Sequence, residues 1–496
     1  MTDETRDAAA QDAPPQVPIL ANTAAIGTAG HGLLRDEEIP KSRVRAWALW
    51  DWGSAAFNAV VTTFVFSTYL ASNLFIDKAV LDGAMAPEEQ ADGTIVNVLD
   101  PENPIYKAAQ AENASLIGVA LLIAGVLIAL LAPVMGQRSD GSGRRKFWLG
   151  INTGLVVLAM AAMVFVDGTP SYLILGATLL AVGNVFFEFA SVNYNAMLVQ
   201  VSTRDNVGRI SGFGWGLGYI GGIVLLLILL VFFIQSFGTD GQTGLLGVTT
   251  DGGLNIRLAV LASAVWFALF ALPLLFKVPE IEARERANRV SFFASYAQLW
   301  RTIVSLAKKS PQVLMFLLAS AVFRDGLAGV FTFGAIIGMQ VFGFSSSEVL
   351  YFAVAANLVA GIGTFVGGWL DDKLGAKNII LGSLVGLVVA GTAVLFVPNA
   401  QIWFWIFGLL LCLFVGPVQS ASRSFLSRIT PHGREGEIFG LYATTGRAVS
   451  FLAPGLFALF VSATGDTRYG ILGIVLVLLA GLILMLPVKA KQSEIE

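Results

Sequence analysis

Long apolar segments alternate with short polar segments along most of the chain, beginning near residue 46. A helix needs about 20 apolar residues to cross a bilayer, and we count twelve segments of suitable length. They cover residues 46–74, 114–135, 147–166, 171–198, 210–235, 256–276, 312–341, 349–370, 379–397, 402–426, 438–461 and 469–487. The pattern predicts an all-α membrane protein with twelve transmembrane helices.

The segments form two sets of six, which predicts two pseudo-symmetric six-helix bundles over residues 41–277 and 312–488. Residues 278–311 connect them and contain an apolar stripe at helical spacing: Phe292, Phe293, Tyr296, Leu299, Trp300, Ile303 and Leu306, with Arg301, Lys308 and Lys309 around or beyond it. The stripe predicts a linker helix that lies along the membrane face or packs on the bundle. We expect residues 1–40, rich in Ala, Asp, Glu, Thr and Pro, to be a disordered tail, and residues 489–496 to be a second tail.

Basic residues concentrate on one side of the predicted membrane. With a cytoplasmic amino terminus, the opposite side holds only Lys78, Lys107, Arg257 and Arg468. Because cytoplasmic loops carry an excess of Lys and Arg, both termini are predicted to be cytoplasmic. Residues 75–113 then form a long outward loop that caps the bundle.

Composition narrows the possible functions. The chain is 55% hydrophobic and 13% charged, about half the charge of an ordinary soluble protein. One cysteine and two histidines allow neither an internal disulfide nor a histidine metal site in the membrane. The chain has no G-x-x-x-x-G-K-[ST] phosphate loop, so we expect no ATP-driven pumping. We also expect no cofactor, no nucleic-acid partner and a monomer.

A charged loop lies between the second and third segments, with the pattern G-x-x-x-D-x-x-G at Gly136, Asp140 and Gly143, followed by Arg144 and Arg145. The same pattern returns 232 residues later at equivalent positions, namely Gly368, Asp372 and Gly375. This repeat predicts a duplicated bundle. Glycines let helix ends approach closely, and an Asp and an Arg can join them. We therefore interpret both loops as gating loops; the alternative is an ordinary basic cytoplasmic loop.

A second repeat, with an offset of 228 residues, places Gly212 on Gly440 and Asn195 on Arg423. In the fifth segment, Gly214, Gly218 and Gly222 recur at a spacing of four. They therefore share one helix face, on which a neighbouring helix can pack backbone to backbone. A flexible gate is the alternative interpretation.

Two six-helix halves, a central linker and the paired loops make the chain resemble the major facilitator superfamily. Within it, several segments resemble the vacuole-effluxer group related to the yeast autophagy amino-acid exporter and its bacterial relatives. They are residues 45–57 (RAWALWDWGSAAF), 193–196 (NYNA), 211–222 (SGFGWGLGYIGG), 323–326 (FRDG), 416–424 (GPVQSASRS) and 439–442 (FGLY). The second loop departs from the superfamily pattern, with Ala376 where a basic residue is common, so we do not expect both loops to latch equally.

Six charged residues lie within the apolar segments: Asp51, Glu188, Arg324, Asp325, Arg423 and Arg447. A charge at mid-bilayer costs about 2.5–3.5 kcal/mol on insertion scales, so each needs a reason. The resemblance implies that segments one, four, seven and ten line a transport path, which makes Asp51, Asn58, Glu188, Arg324, Asp325 and Arg423 candidates. Segments five and eleven add Trp215, Tyr219 and Arg447.

The chemistry of these side chains predicts roles. Arg447 or Arg324 would bind an anionic group of the substrate through two parallel hydrogen bonds. Glu188, flanked by phenylalanines, is the candidate proton carrier, whereas an arginine would hold Asp325 ionised. Neighbours on a helix point about 100° apart, so Arg324 and Asp325 must face different partners. Alternatives stay open: Asp51 could latch a gate, Arg423 could pair with Glu188, and Trp215 and Tyr219 could serve packing alone.

The sequence therefore predicts a secondary active transporter of the cytoplasmic membrane that works by alternating access. Its substrate would be a small polar solute, with amino acids favoured by the resemblance, and transport would be coupled to protons through Glu188. A drug exporter of the same fold is the nearest alternative, although three buried arginines argue against it. A membrane sensor or structural protein is disfavoured because no soluble domain is visible. No nucleophile–base or metal constellation indicates an enzyme.

Overall fold

The computed structural model describes residues 39–89, 95–100, 103–235, 242–280, 292–344, 346–431 and 433–489. The predicted tails fall almost entirely outside these ranges, as do residues 281–291 of the linker. Within the described residues the chain is almost entirely helical, with two short hairpins, β1 (Met85–Glu89) with β2 (Ile95–Leu99) and β3 (Gln242–Thr243) with β4 (Val248–Thr249).

The first half begins with α1 (Lys41–Ala55), which continues as a π-helical segment (Ala56–Phe64). The remaining helices of this half are α2 (Phe66–Leu70), α3 (Lys78–Gly83), α4 (Pro104–Ser142), α5 (Arg145–Ala162), α6 (Leu173–Ala196), α7 (Leu198–Val201), α8 (Val207–Leu229) and α9 (Leu254–Lys277). A second π-helical segment, Leu230–Ile234, extends α8.

The linker contributes α10 (Phe292–Lys309). The second half consists of α11 (Pro311–Gln340), α12 (Ser346–Leu374), α13 (Ala376–Phe396), α14 (Gln401–Ile429), α15 (Glu435–Val449), α16 (Leu452–Thr464) and α17 (Gly470–Met485). Eleven helical stretches in the described ranges are long and apolar enough to cross a membrane. The first expected segment is not among them, so the count of twelve stays a prediction.

Two of the expected segments are interrupted rather than continuous. In residues 46–74 the helix widens after Ala55, and the Asn58 carbonyl accepts hydrogen bonds from the hydroxyls of both Thr62 and Thr63, at 2.6 and 2.7 Å. Hydroxyls that bond to the preceding turn compete with regular helix geometry. The eleventh segment divides between α15 and α16, after Val449.

The connection over residues 75–113 differs from the expected loop. Asn103 accepts a hydrogen bond from the Ile105 amide at 3.0 Å, and Pro104 follows as the first residue of α4. Both residues are favourable at a helix start. Residues 104–113, expected in the loop, therefore belong to a helix of 39 residues, and the described part of the preceding connection contains α3 and the paired strands β1 and β2.

Each half has its own apolar core. In the first half the largest fully buried side chains include Trp47, Phe57, Phe66 and Phe267. In the second half they include Phe316, Phe323, Phe425 and Phe439. The second cluster also reaches Ile128 of α4 and Phe189 of α6, so apolar packing crosses the boundary between the halves.

Helix α8 has two glycine faces. Gly214, Gly218 and Gly222 lie against α1 and the π-helical segment after it, with Asp51, Ala55 and Ala59 among the nearest residues. This contact confirms the predicted close packing of the glycine row. On the other face, a Cβ at Gly212 would lie 2.7 Å from the Thr364 carbonyl oxygen and 2.8 Å from the Gly368 Cα. The second face is thus an interface between the halves.

We expect Gly212→Ala to lower the thermal unfolding midpoint of the purified protein, because the added methyl group meets backbone atoms of α12. Overpacking of this kind typically costs about 1–3 kcal/mol. Gly154→Ala in α5 is the matched control, because nothing lies within 4 Å of a Cβ there and alanine favours a helix by up to about 1 kcal/mol. Equal midpoints for the two variants would contradict the close approach.

Candidate functional site

The two halves meet at the end of the bundle that carries the loops of residues 136–143 and 368–375, hereafter the loop side. There α4 lies against α15, and α8 lies against α12. The exposure of α15 changes along its length, since Glu435 and Glu437 are buried whereas Arg447 is exposed. In the first half, Trp47 is likewise buried and Asn58 exposed. The interface is therefore buried at the loop side and partly exposed towards the other end, hereafter the cleft.

The first loop joins α4 to the start of α15. Asp140 accepts a hydrogen bond from the Glu437 amide at 3.0 Å and another from Arg145 Nε at 2.7 Å. Arg145 also pairs with Glu435, and donates to the Ala196 carbonyl at 3.3 Å. All three charged side chains are at most 5% exposed. A buried arginine between two carboxylates is charge-compensated.

The second loop joins α12 to the start of α8. Asp372 accepts hydrogen bonds from the amides of Gly208, at 2.7 Å, and Arg209, at 3.0 Å. The neighbouring Asp371 is buried and pairs with Arg428 and the Ser424 hydroxyl. In both loops, then, an aspartate binds the free N–H groups at the amino end of a helix from the opposite half.

The glycines of the loops allow helix backbones to approach one another closely and allow the chain to turn. Gly136 contacts the backbone of Gly436, and Gly368 contacts Gly208 and Gly212. Gly143 and Gly375 have φ angles of +68° and +85°, which side chains other than glycine rarely adopt.

The basic residues of the two loops differ. We call the contacts of each loop with the opposite half a latch. Arg145 is buried in the first latch, whereas Arg144 is exposed and lies 5.9 Å from the Phe147 ring. In the second loop, Lys377 bonds instead to the Leu486 carbonyl at 2.8 Å. The ion pair of the second loop comes from Arg428 of α14. Two latches of unequal construction agree with the expectation drawn from Ala376.

Arg423 of α14 reaches into the first half. Its guanidinium donates to the Ser211 hydroxyl at 3.0 Å and carbonyl at 2.5 Å, and lies 3.3 Å from both Asp51 and Asn195. Aromatic rings surround the guanidinium carbon, with Trp47 at 5.0 Å, Trp215 at 5.1 Å and Tyr194 at 5.7 Å. The side chain is only 2% exposed. Arg423 thus belongs to the closed interface, and the alternative in which it pairs with Glu188 is wrong.

Asp51 completes this group. It accepts a hydrogen bond from the Tyr194 hydroxyl at 2.8 Å and forms the ion pair with Arg423. The ring of Tyr194 stacks on Trp47 and Trp50, at centroid distances of 4.5 and 4.3 Å. Because the pair joins α1 to α14 across the halves, its geometry is that of a latch, the alternative kept open for Asp51.

Arg447 and Glu188 form a third ion pair between the halves, after those of Arg145 with Glu435 and Arg423 with Asp51. Arg447 Nη2 lies 3.4 Å from the Glu188 carboxylate and 3.2 Å from the Asn184 side-chain oxygen. The two charged side chains are 39% and 21% exposed. This pair therefore lies in the partly exposed region of the interface, unlike the buried pairs at the loop side.

Arg324 and Asp325 face different helices, as their adjacent positions require. Arg324 donates to the Tyr442 carbonyl at 3.0 Å, and its guanidinium carbon lies 3.9 Å from the ring centroid of Tyr442. Among the described residues no carboxylate lies within ion-pair distance of Arg324. Asp325 is buried and accepts a hydrogen bond from the Ala453 amide at 2.6 Å. The expected arginine partner of Asp325 is wrong; the amino end of α16 takes its place, because the break in the eleventh segment exposes N–H groups there.

The remaining candidates carry no charge. Trp215 belongs to the rings around Arg423 and is half-buried on α8, as is Tyr219, whereas Asn58 is exposed on the π-helical segment. Their place in a transport path stays a prediction, like that of the charged residues. In the described part of the chain, no cluster of three His, Cys, Asp or Glu side chains is arranged to hold a metal ion.

Sequence reasoning missed several partners that the fold supplies: Tyr194, Ser211, Glu435, Glu437 and Tyr442. Three of these, Tyr194, Ser211 and Tyr442, lie within the segments that carry the family resemblance. For Glu435 and Glu437 the sequence offered a different indication, since acidic residues are favoured in the first turn of a helix and thus mark the start of α15. Their pairing with the first loop still required the position of α15.

We expect Asp372→Asn to open the loop side, because the asparagine side chain lacks the negative charge that interacts favourably with the amino end of α8. If the free energy that favours the closed state falls by about 1–2 kcal/mol, the ratio of closed to open molecules falls roughly 5- to 30-fold. Spin labels attached to cysteines introduced at positions 142 and 373, in a Cys412→Ser background, would report the opening. The distance between the two labels, measured by double electron–electron resonance, should increase.

Asp77→Asn is the matched control for this variant. Asp77 accepts a hydrogen bond from the Ala79 amide at 2.9 Å, which is the same type of cap, but it lies in the connection at the other end of the bundle. An unchanged distance distribution in Asp372→Asn would contradict the latch.

Comparisons with known proteins agree with this architecture. A family model described as vacuole effluxer Atg22 like matches residues 199–496. An uncharacterized MFS-type transporter of Bacillus subtilis (strain 168), YxiO, is 24% identical over 450 residues, which cover 90% of this chain and 95% of that protein. Autophagy-related protein 22-1 of Neosartorya fischeri is 22% identical over 309 residues, 58% of this chain and 49% of the relative. The match thus spans about half of the fungal relative's length.

Solved structures show the same fold. The major facilitator superfamily proton:xylose symporter XylE superimposes with a TM-score of 0.64 at 15% identity, covering 92% of this chain and 97% of that one. At this identity the likeness concerns the fold alone. The family model and the relatives add the membership: the chain belongs to the vacuole effluxer Atg22-like family and is a transporter of the major facilitator superfamily.

Proposed function

We propose that this protein is a secondary active transporter of small zwitterionic solutes, with amino acids favoured. The single observation that supports the substrate class is the exposed pair of Arg447 and Glu188. A zwitterion presents a carboxylate and an ammonium group, which match an arginine and a glutamate from opposite sides of one cleft. Resemblance to the autophagy amino-acid exporters favours amino acids among such solutes.

Substrate binding would exchange one ion pair for two. At 3.4 Å the pair of Arg447 and Glu188 is long, and both side chains stay partly hydrated, so little free energy holds it together. The arginine fork can bind a carboxylate with two parallel hydrogen bonds, which a long single contact to Glu188 does not use. Asn184 offers a further polar group to the ligand.

Alternating access follows from the two kinds of contact between the halves. The loop-side latches hold one end closed, and the cleft is partly exposed at the other. For transport, the Asp140 and Asp372 latches and the pair of Asp51 and Arg423 would have to separate while the cleft closes around the solute. We propose that the loop side is cytoplasmic, as the distribution of basic residues predicts, and that the protein resides in the cytoplasmic membrane and works as a monomer.

We further propose that transport is coupled to protons through Glu188. Glu188 is the carboxylate in the cleft, and its protonation would release Arg447 for the substrate. The symporter XylE, which shares the fold, is named as a proton symporter. A drug exporter of the same fold is the alternative; exposed arginine in the cleft disfavours it, because such exporters take lipophilic cations.

We expect Arg447→Lys to weaken substrate binding about 10- to 100-fold, since the ammonium group keeps the charge but loses the fork, a difference of about 1.5–3 kcal/mol. The measurement is counterflow of radiolabelled neutral L-amino acids in proteoliposomes. Arg45→Lys, at an exposed position on α1, is the control. Unchanged affinity would make Arg447 a structural residue, and absence of any amino-acid flux in the wild type would exclude this substrate class.

We expect Glu188→Gln to abolish uptake driven by a pH gradient while counterflow continues, because glutamine cannot carry a proton. Glu112→Gln, at an exposed position on α4, controls for the loss of a carboxylate. The two assays on the same vesicles separate coupling from binding. Uptake that still follows the pH gradient would remove Glu188 from the coupling mechanism.

A further inference from the structure

The linker helix α10 (Phe292–Lys309) has two different faces. On the inner face Ser295, Thr302 and Leu306 are buried. The Tyr296 hydroxyl donates to the Leu130 carbonyl of α4 at 3.2 Å, and Thr302 hydrogen-bonds to Glu437 of α15. The sequence left open whether this helix packs on the bundle, and in the structure it does.

The outer face is apolar and exposed. Phe293 is 82% exposed, Trp300 67% and Val304 37%, and these residues follow one another at helical spacing on one stripe. Because the inner face is held by α4 and α15, the helix cannot bury both stripes by rolling over.

A basic row runs beside the apolar stripe. Arg301, Lys308 and Lys309 are exposed, and with Trp300, Val304 and Ser305 they line an open groove of about 450 Å³. Among the described residues no carboxylate forms an ion pair with any of the three. The groove thus combines three positive charges, none of them paired with a carboxylate of the described residues, with an aromatic wall.

The position of α10 relates this groove to the membrane. Leu130, whose carbonyl accepts the Tyr296 hydrogen bond, lies in the apolar membrane-spanning candidate α4, and its side chain is 54% exposed. An exposed apolar side chain on such a helix would face lipid. The outer face of α10 therefore continues the lipid-facing surface of α4. At its other end α10 is followed at once by α11, a membrane-spanning candidate that begins at Pro311.

We propose that this groove is a binding site for an anionic phospholipid. The negatively charged phosphate of a lipid with an uncharged headgroup, such as glycerol, would be bound by Arg301, Lys308 and Lys309. The acyl chains would lie against Trp300 and Val304. Aromatic side chains favour the interface between headgroups and acyl chains, and basic residues beside them favour anionic lipids.

The test is native mass spectrometry of the full-length protein, which counts bound lipids as phosphatidylglycerol or phosphatidylcholine is added. We expect the wild type to prefer phosphatidylglycerol and the R301Q/K308Q/K309Q variant to bind it at least 10-fold more weakly, since each basic residue near an anionic surface contributes roughly a fivefold preference. R301K/K308R/K309R keeps the charges and should retain the preference.

Two further arms make the result specific. K41Q/R43Q/R45Q removes three basic residues from α1 at the loop side, and should bind phosphatidylglycerol as the wild type does. Excess inorganic phosphate should not displace the lipid, because it lacks the acyl chains that Trp300 binds; displacement would identify a plain anion site instead. Equal binding of the two lipids by the wild type, or undiminished phosphatidylglycerol binding by the R301Q/K308Q/K309Q variant, would overturn the proposal. None of these readouts depends on transport.

Discussion

Unpaired N–H groups at the amino end of a helix attract a carboxylate, and this attraction joins the two halves of the protein at equivalent places. Asp140 binds the start of α15, and Asp372 binds the start of α8. Each bond crosses between halves that each have a large apolar core, although some apolar packing also crosses the boundary between them. The bonds form only where glycines let the backbones come together, so the latch and the glycine contacts depend on each other. An interaction of this type can be broken without unfolding either half, because each half keeps its own core.

The charged residues divide according to depth and exposure. Close to the latches, the pair of Asp51 and Arg423 is enclosed by Trp47, Tyr194 and Trp215, and water has little access. Further along the cleft, Arg447 and Glu188 face each other across the halves and remain partly exposed. A buried pair is expensive to separate, whereas a hydrated pair exchanges partners at low cost. This difference supports a holding role for the first pair and a ligand-binding role for the second.

The interrupted helices concern the same region. Asn58 is exposed on the π-helical segment that follows Ala55, and the break after Val449 closely follows Arg447. Asp325 occupies the free amino end of α16 that the break creates. Regular helices would leave no N–H groups for that carboxylate in an apolar environment. The departures from regular structure thus lie next to the proposed substrate site.

The sequence alone determined the class of fold, the internal repeat and the set of charged residues that need partners. The lengths of the apolar segments and the paired G-x-x-x-D-x-x-G loops are local properties of the chain. They can be recognised without knowing how the helices pack. The adjacent positions of Arg324 and Asp325 also settled that the two must face different helices. What the sequence left open was the choice of partner: Arg423 with Asp51, Arg447 with Glu188, and Asp325 with a helix end. Ion pairs and hydrogen bonds form only within about 3–4 Å, and the tertiary structure alone decides which of several compatible groups come that close.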